Sequence, residues 1–226
     1  MRIFRQVARA LITAGLFGAL GTGAQAMSYR LVEAELAGCG AACPKIIHAS
    51  GTIQQNEHLI FAEFVANAAK SHRLSSIVVV ESPGGFNVGA ASLGLMIRKL
   101  NMSVIVGRPA GGSVSRSTGL TSGVCASACV LVLAGGKSRY LVPGSRVGVH
   151  RAHTGPEVRD PLTRTVVSGT LQHDAIRDAY SRYFRQMGVD QSLSMVMDKT
   201  PSESMYWLSP AEMGKFRLAK TATSAR

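Results

Sequence analysis

Ser127 lies inside Gly123-Val124-Cys125-Ala126-Ser127-Ala128-Cys129-Val130-Leu131, one serine among small residues directly ahead of an apolar run. A serine hydroxyl becomes a useful nucleophile at a tight turn, beside a base and beside backbone donors that stabilise an oxyanion. Small neighbours admit the close backbone approach that such a turn needs. The apolar run predicts a buried helix whose N-terminus points at the serine and adds a favourable dipole. The same residues also suit a serine in an ordinary packed helix, so the rest of the chain decides between the two.

Two other groups carry chemistry. Ser82-Pro83-Gly84-Gly85 breaks the β-branched run at 76–80. Successive glycines there can turn backbone N–H groups into an open space, as an oxyanion hole requires; Pro-Gly-Gly is equally the composition of a plain tight turn. His150 ends the strand pattern Val147-Gly148-Val149-His150. A base at that position could face the crevice that holds Ser127, or be a half-exposed strand end. The pair His150-x-x-His153 lies on no helix and has no third ligand in sight, so no metal is expected.

These residues need elements to position them. Residues 45–53 read as a strand and 57–71 as a helix, with Leu59, Ile60, Phe64, Val65 and Ala68 at helical spacing. A strand at 76–80, a helix at 88–100 and a strand at 102–106 follow. The segment 107–123 is a polar, Gly- and Ser-rich loop, long for a compact domain and therefore lid-like or mobile. After the Ser127 segment come strands at 139–142 and 146–150, a loop, a long helical pattern over 165–187 and a short helix over 190–199. Residues 28–37 have mixed character. Strands alternating with helices predict an α/β domain, with helices against a mostly parallel sheet. Ligands gather at the carboxyl ends of such strands.

The N-terminus reads as a leader rather than part of the fold. Arg2, Arg5 and Arg9 precede an apolar segment ending near Leu20, and Ala24-Gln25-Ala26 supplies a small-residue cleavage site. That is the layout of a secretory signal peptide over 1–26, with export, to a periplasm, as the expectation; an uncleaved membrane anchor is the alternative. One domain over 27–220 and a frayed tail over 221–226 complete the division. The chain carries a formal charge of +12. Its cations are scattered and not interleaved with aromatics, so a solvated basic surface is expected and nucleic acid is not.

Four cysteines form two C-x-x-x-C pairs, Cys39/Cys43 and Cys125/Cys129. An even count in an exported chain favours disulfides, and three connectivities are open. A four-cysteine zinc site has looser spacing here than usual, and buried thiols are the remaining alternative.

Taken in order, Gly51-Thr52-Ile53, Glu81-Ser82-Pro83-Gly84-Gly85, Cys125-Ala126-Ser127-Ala128, Pro143-Gly144-Ser145-Arg146-Val147-Gly148-Val149-His150 and Trp207-Leu208-Ser209-Pro210-Ala211-Glu212 resemble the proteolytic subunit of Clp protease. More closely, they resemble exported ClpP-like proteins of the ClpP/crotonase superfamily. The resemblance runs from about Ile46 to Leu218. It implies a spiral of ββα units, with Ser127 as nucleophile, His150 as general base, and the backbone N–H groups of Gly85 and Ala128 as oxyanion hole. The implied reaction is acyl transfer from a peptide or unfolded segment, without a cofactor.

The departures are as informative. The family's triad Asp falls on Met205, which cannot orient an imidazole; Asp198 and Glu203 are the nearby acids. The 107–123 loop is longer than the family's connection, and the segment before Lys45 does not match its axial-loop region. An exported chain meets no ATP-driven unfoldase, so no ATPase partner is expected. Homo-oligomerisation through residues 156–187 stays open, as do two other readings: a catalytically silent binding or assembly domain, and a crotonase-type acyl-thioester enzyme that needs no serine.

Overall fold

The computed structural model describes residues 25–35, 43–110, 114–115, 119–153 and 169–221. The expected leader, apart from Gln25 and Ala26, lies outside them, as do Cys39, residues 156–168 of the expected handle and the tail after Thr221.

The elements in chain order are β1 (Ser28–Glu35), β2 (Lys45–Ser50), α1 (Glu57–Ala69), β3 (Leu74–Glu81), α2 (Asn87–Lys99), β4 (Ser103–Val106), β5 (Arg108–Pro109), β6 (Val114–Ser115), β7 (Leu120–Thr121) and β8 (Val124–Ala126). They continue with α3 (Cys129–Gly135), β9 (Arg139–Leu141), β10 (Arg146–Val149), α4 (Gly169–Gln186), α5 (Leu193–Lys199), β11 (Tyr206–Trp207), α6 (Pro210–Lys215) and β12 (Lys220–Thr221).

The main sheet has the order β12-β9-β4-β3-β2-β1-β6, and a smaller one has the order β11-β10-β8. From β12 to β2 every neighbouring pair in the main sheet is parallel. The chain is therefore the α/β protein expected, and its repeat is visible. Strands β2, β3, β4 and β9 each enter the main sheet. The chain then passes through a second extended segment (Thr52–Ile53, Ser82, β8 or β10) before helix α1, α2, α3 or α4. Bridges Ile53↔Gly85 and Ser82↔Cys125 carry the small sheet across the first two units. This is a spiral of strand–strand–helix units.

Burial follows from that layering. Val78, Val79 and Val80 of β3 are all buried. Val78 and Val80 join the main core, while Val79 and Ile46 form a second cluster on the other face. A strand covered on both faces reads as a continuous apolar run. All seven residues of α3 are buried at the centre of the main core. The hydroxyl of Tyr183, on α4, donates to the Leu131 carbonyl at 2.7 Å.

Arg98 and Arg139 tie the helix ends together. Arg98 donates to the carbonyls of Ala134, Gly135, Gly136 and Met187. Arg139 donates to those of Gly136, Met187, Arg217 and Leu218. Guanidinium groups thus satisfy carbonyls that the helix ends leave open.

Two segments differ from the sequence reading. Residues 28–35, read as mixed, form a strand antiparallel to β2, from Ser28↔Ser50 to Glu33↔Lys45. Tyr29 and Leu31 pack on the core while Val32 is buried on the opposite side, so the strand lacks the clean alternation that reveals a one-faced sheet. The 107–123 segment is partly ordered by pairing: β5 and β7 form an antiparallel pair, and β6 lies parallel to the end of β1. Leu120 packs against the Ile46–Val79 cluster, so this end of the loop covers the far face of the main sheet.

Candidate active site

Strands β8 and β10 run parallel, with Val124↔Arg146, Cys125↔Val147 and Ala126↔Gly148 in register. Ser127 follows one strand and His150 the other, so both leave the carboxyl ends of strands about 4.8 Å apart. The Ser127 N–H donates to Gly148 O at 2.9 Å, fastening the turn to the strand that leads to His150. The chain then enters α3 at once, with Ala128 as its helical N-cap.

Ser127 has φ +55°, one of three non-glycine residues with positive φ among the described residues. A β-carbon disfavours this left-handed region by about 1–2 kcal/mol. A strained serine between strand and helix is the geometry of a nucleophile elbow, in which the side chain is thrust out of the turn. Ser127 and His150 are both half-buried.

The glycine pair closes in from the next unit. Ser82 N donates to Val124 O and Ala126 N to Ser82 O, at 2.8 and 3.0 Å. The buried Ser82 hydroxyl donates to Gly51 O at 2.7 Å and accepts from Gly84 N at 3.1 Å, fixing the loop's path. Gly84 has φ +111°, and a β-carbon there would meet Ser127 Cβ at 2.7 Å and Ala126 O at 2.9 Å. Gly85 has φ +142°, and a β-carbon on it would collide with Ile53 O. Among the described residues the N–H groups of Gly85 and Ala128 have no hydrogen-bond acceptor. They are two donors on either side of the serine turn, which is the raw material of an oxyanion hole.

His150 is the candidate base. Among the described residues the buried His150 Nδ1 has no hydrogen-bond partner, and no hydrogen bond joins Ser127 Oγ to His150. The neighbouring strand brings no acid to it. β11 runs antiparallel to β10 with Gly148↔Trp207 and Val149↔Tyr206, and the next step of that register sets Met205 opposite His150. The Met205 thioether lies against Gly148: a β-carbon there would meet Sδ at 2.6 Å. A thioether is at best a weak acceptor.

Neither nearby acid fills the gap. Asp198 is drawn toward Arg177 of α4, at 3.7 Å, and lines a small cavity with Arg151, His173 and Tyr180. Glu203 is exposed and accepts from the Ser202 hydroxyl at 3.1 Å. Its own backbone N–H and Ser202, helped by Arg151 and His153, hold its carboxyl below the usual range against some desolvation. Among the described residues no group of three or more His, Cys, Asp or Glu is placed to hold a metal.

Three of the four cysteines lie among the described residues. Cys125 and Cys129 form a disulfide, and Cys43 is also disulfide-bonded. Sequence reasoning missed Ser82 as the residue that orders the glycine loop. The signal was there, since a serine two residues ahead of a glycine can accept that glycine's N–H in a turn.

No protein-family model matches the chain, and no curated protein does. Among solved structures, a serine-to-alanine mutant of the 1510-N membrane-bound stomatin-specific protease aligns with a TM-score of 0.48 and 15% identity. The alignment covers 78% of this chain and 77% of that one.

Proposed function

We propose that this chain is an exported ClpP-like serine hydrolase that cleaves peptides or unfolded protein segments without an ATPase. Ser127 attacks the carbonyl carbon, and His150 takes the hydroxyl proton and returns it to the leaving amine. Water then releases the acyl group by the same route. The N–H groups of Gly85 and Ala128 hold the oxyanion of each tetrahedral intermediate. The observation that carries this reading is the register of β8 with β10, which brings a left-handed serine and a histidine to adjacent strand ends, with Gly84 packed on the serine. The open Ser127–His150 hydrogen bond accords with a site that tightens when substrate arrives.

Without an orienting acid the pair works as a dyad. Loss of the equivalent group costs about 10⁴ in kcat in a serine protease triad, so turnover is slow. Export follows from the leader pattern at 1–26, with an uncleaved membrane anchor as the alternative; assembly of copies through residues 156–187 belongs to the same proposal. No described helix is long and apolar enough to cross a membrane.

A catalytically silent binding or assembly domain is the second reading, favoured by the unpartnered His150 Nδ1 opposite Met205. Fluorophosphonate labelling separates the two. Labelling that vanishes in Ser127→Ala and falls at least tenfold in His150→Ala supports the hydrolase. A folded chain that takes no label between pH 6 and 9 establishes the silent domain.

A further inference from the structure

The disulfide brackets the serine symmetrically. Cys125 lies in β8, Cys129 begins α3, and only Ala126, Ser127 and Ala128 stand between them. Both cysteines are fully buried, and their Cα atoms are 5.2 Å apart.

The strand before Ser127 is paired on both sides, but the turn itself is flanked by small residues. Its neighbours are Ala126, Ala128, Gly84 and Gly85, none of which has a side chain large enough to wedge Ser127 in place. Its backbone is held by Ser127 N to Gly148 O at 2.9 Å and Ala126 N to Ser82 O at 3.0 Å, and its other contacts are local: Val130 N to Ser127 O at 3.1 Å and Leu131 N to Ala128 O at 3.0 Å. Ala128 is already right-handed, at φ −55° and ψ −24°. A free chain would relieve the strain at Ser127 by winding α3 back one turn. In that continued helix the β-carbons of residues four apart are about 5–6 Å apart, more than the roughly 3.5–4.5 Å that a disulfide spans.

We propose that the Cys125–Cys129 disulfide is a positioning element of the Ser127 site. It holds Ser127 left-handed and keeps the Ala128 N–H open beside that of Gly85, so the oxidised chain is the reactive form and the dithiol is not. The inference rests on the reading of Ser127 as a nucleophile. The bond forms by exchange with a disulfide-bearing oxidant. One cysteine thiolate attacks it to give a mixed disulfide and the second displaces it, so the two thiols lose two electrons and two protons and the oxidant leaves as a dithiol. An exported chain meets such oxidants where a cytosolic one does not.

The test compares the native full-length chain with Cys125→Ala/Cys129→Ala, by the maximal rate of fluorophosphonate inactivation, the reagent's half-saturation concentration, and the HN–Hα coupling of Ser127. We expect the maximal rate to fall at least tenfold with half-saturation within twofold, and the coupling to move to the right-handed helical value. Cys39→Ala/Cys43→Ala, which removes the other two cysteines, should keep the native rate. If the Cys125/Cys129 variant does not fold, phosphine reduction of the native chain, with thiols counted and reoxidation as rescue, makes the same comparison. A folded chain without this bond that keeps the native rate and the native coupling overturns the proposal. Should the native chain not label at all, the hydrolase reading fails, and the coupling alone decides whether the bond holds the turn.

Discussion

At the scale of residues, the site is a balance between strain and space. Ser127 can be left-handed because Gly84 leaves room for its β-carbon, and Gly84 can approach because Ser82 pins the loop. The weak point is Met205, which the β10–β11 register sets opposite His150. An aspartate there would meet an imidazole whose Nδ1 has no partner. Met205→Asp should therefore raise the fluorophosphonate labelling rate about 10- to 100-fold, part of the roughly 10⁴ that an orienting acid contributes. A folded variant with an unchanged rate would show that His150 is not the base.

At the scale of elements, β1 and β2 set an exposed arginine against a buried histidine. Arg30 Nε donates to His48 Nδ1 at 3.0 Å, and His48 Nε2 is buried without a partner. Desolvation, reinforced by Arg30, pushes the His48 pKa from 6.5 down to about 4. The unfolded chain therefore binds a proton that the folded chain refuses between those values. Stability from this site is complete above about pH 6.5 and is lost as the pH falls toward 4. At pH 5 the loss is roughly 1–2 kcal/mol. Urea midpoints measured at pH 7.5 and pH 5 should show it, and His48→Asn should flatten that difference while keeping an acceptor for Arg30. The last helix has its own local determinant: Ser209 and Glu212 form a capping box around Pro210 at the first position of α6.

At the scale of the whole molecule, the helix ends converge on two guanidiniums. Arg98 reaches from α2 to the end of α3 and to Met187 just beyond α4, so one side chain joins three units of the spiral. Truncation leaves the carbonyls of Ala134 and Gly135 to find other donors, while those of Gly136 and Met187 keep Arg139. Arg98→Ala should destabilise the chain by about 2–4 kcal/mol, since hydrogen bonds to charged groups contribute about 1.5–3 kcal/mol each and are not additive. Thermal unfolding of the variant checks this. A change below about 1 kcal/mol would mean that water replaces the guanidinium freely.

Much of this was legible in one dimension. Periodicity located β2, β3, β4, α1, α2 and α4 to within a few residues, but it misplaced part of the buried face of α1, where Leu59 and Ile60 are exposed while Glu57 and Phe61 are buried. The glycine pair, the serine among alanines and the strand-end histidine were each visible as residue types with a chemistry. Strand β10 was read at 146–150, but β1 was not seen, because its two faces are both partly covered, and β5, β7 and β8 are too short to show a period. What the sequence determined alone is the inventory of groups and the local turns that carry them. Only the tertiary structure decided which groups meet: the register that aligns β8 with β10, the pairing that lays Met205 against Gly148, and the cross-link around Ser127. Those are contacts between residues far apart in sequence, or closed by a covalent bond, and neither leaves a local periodic trace.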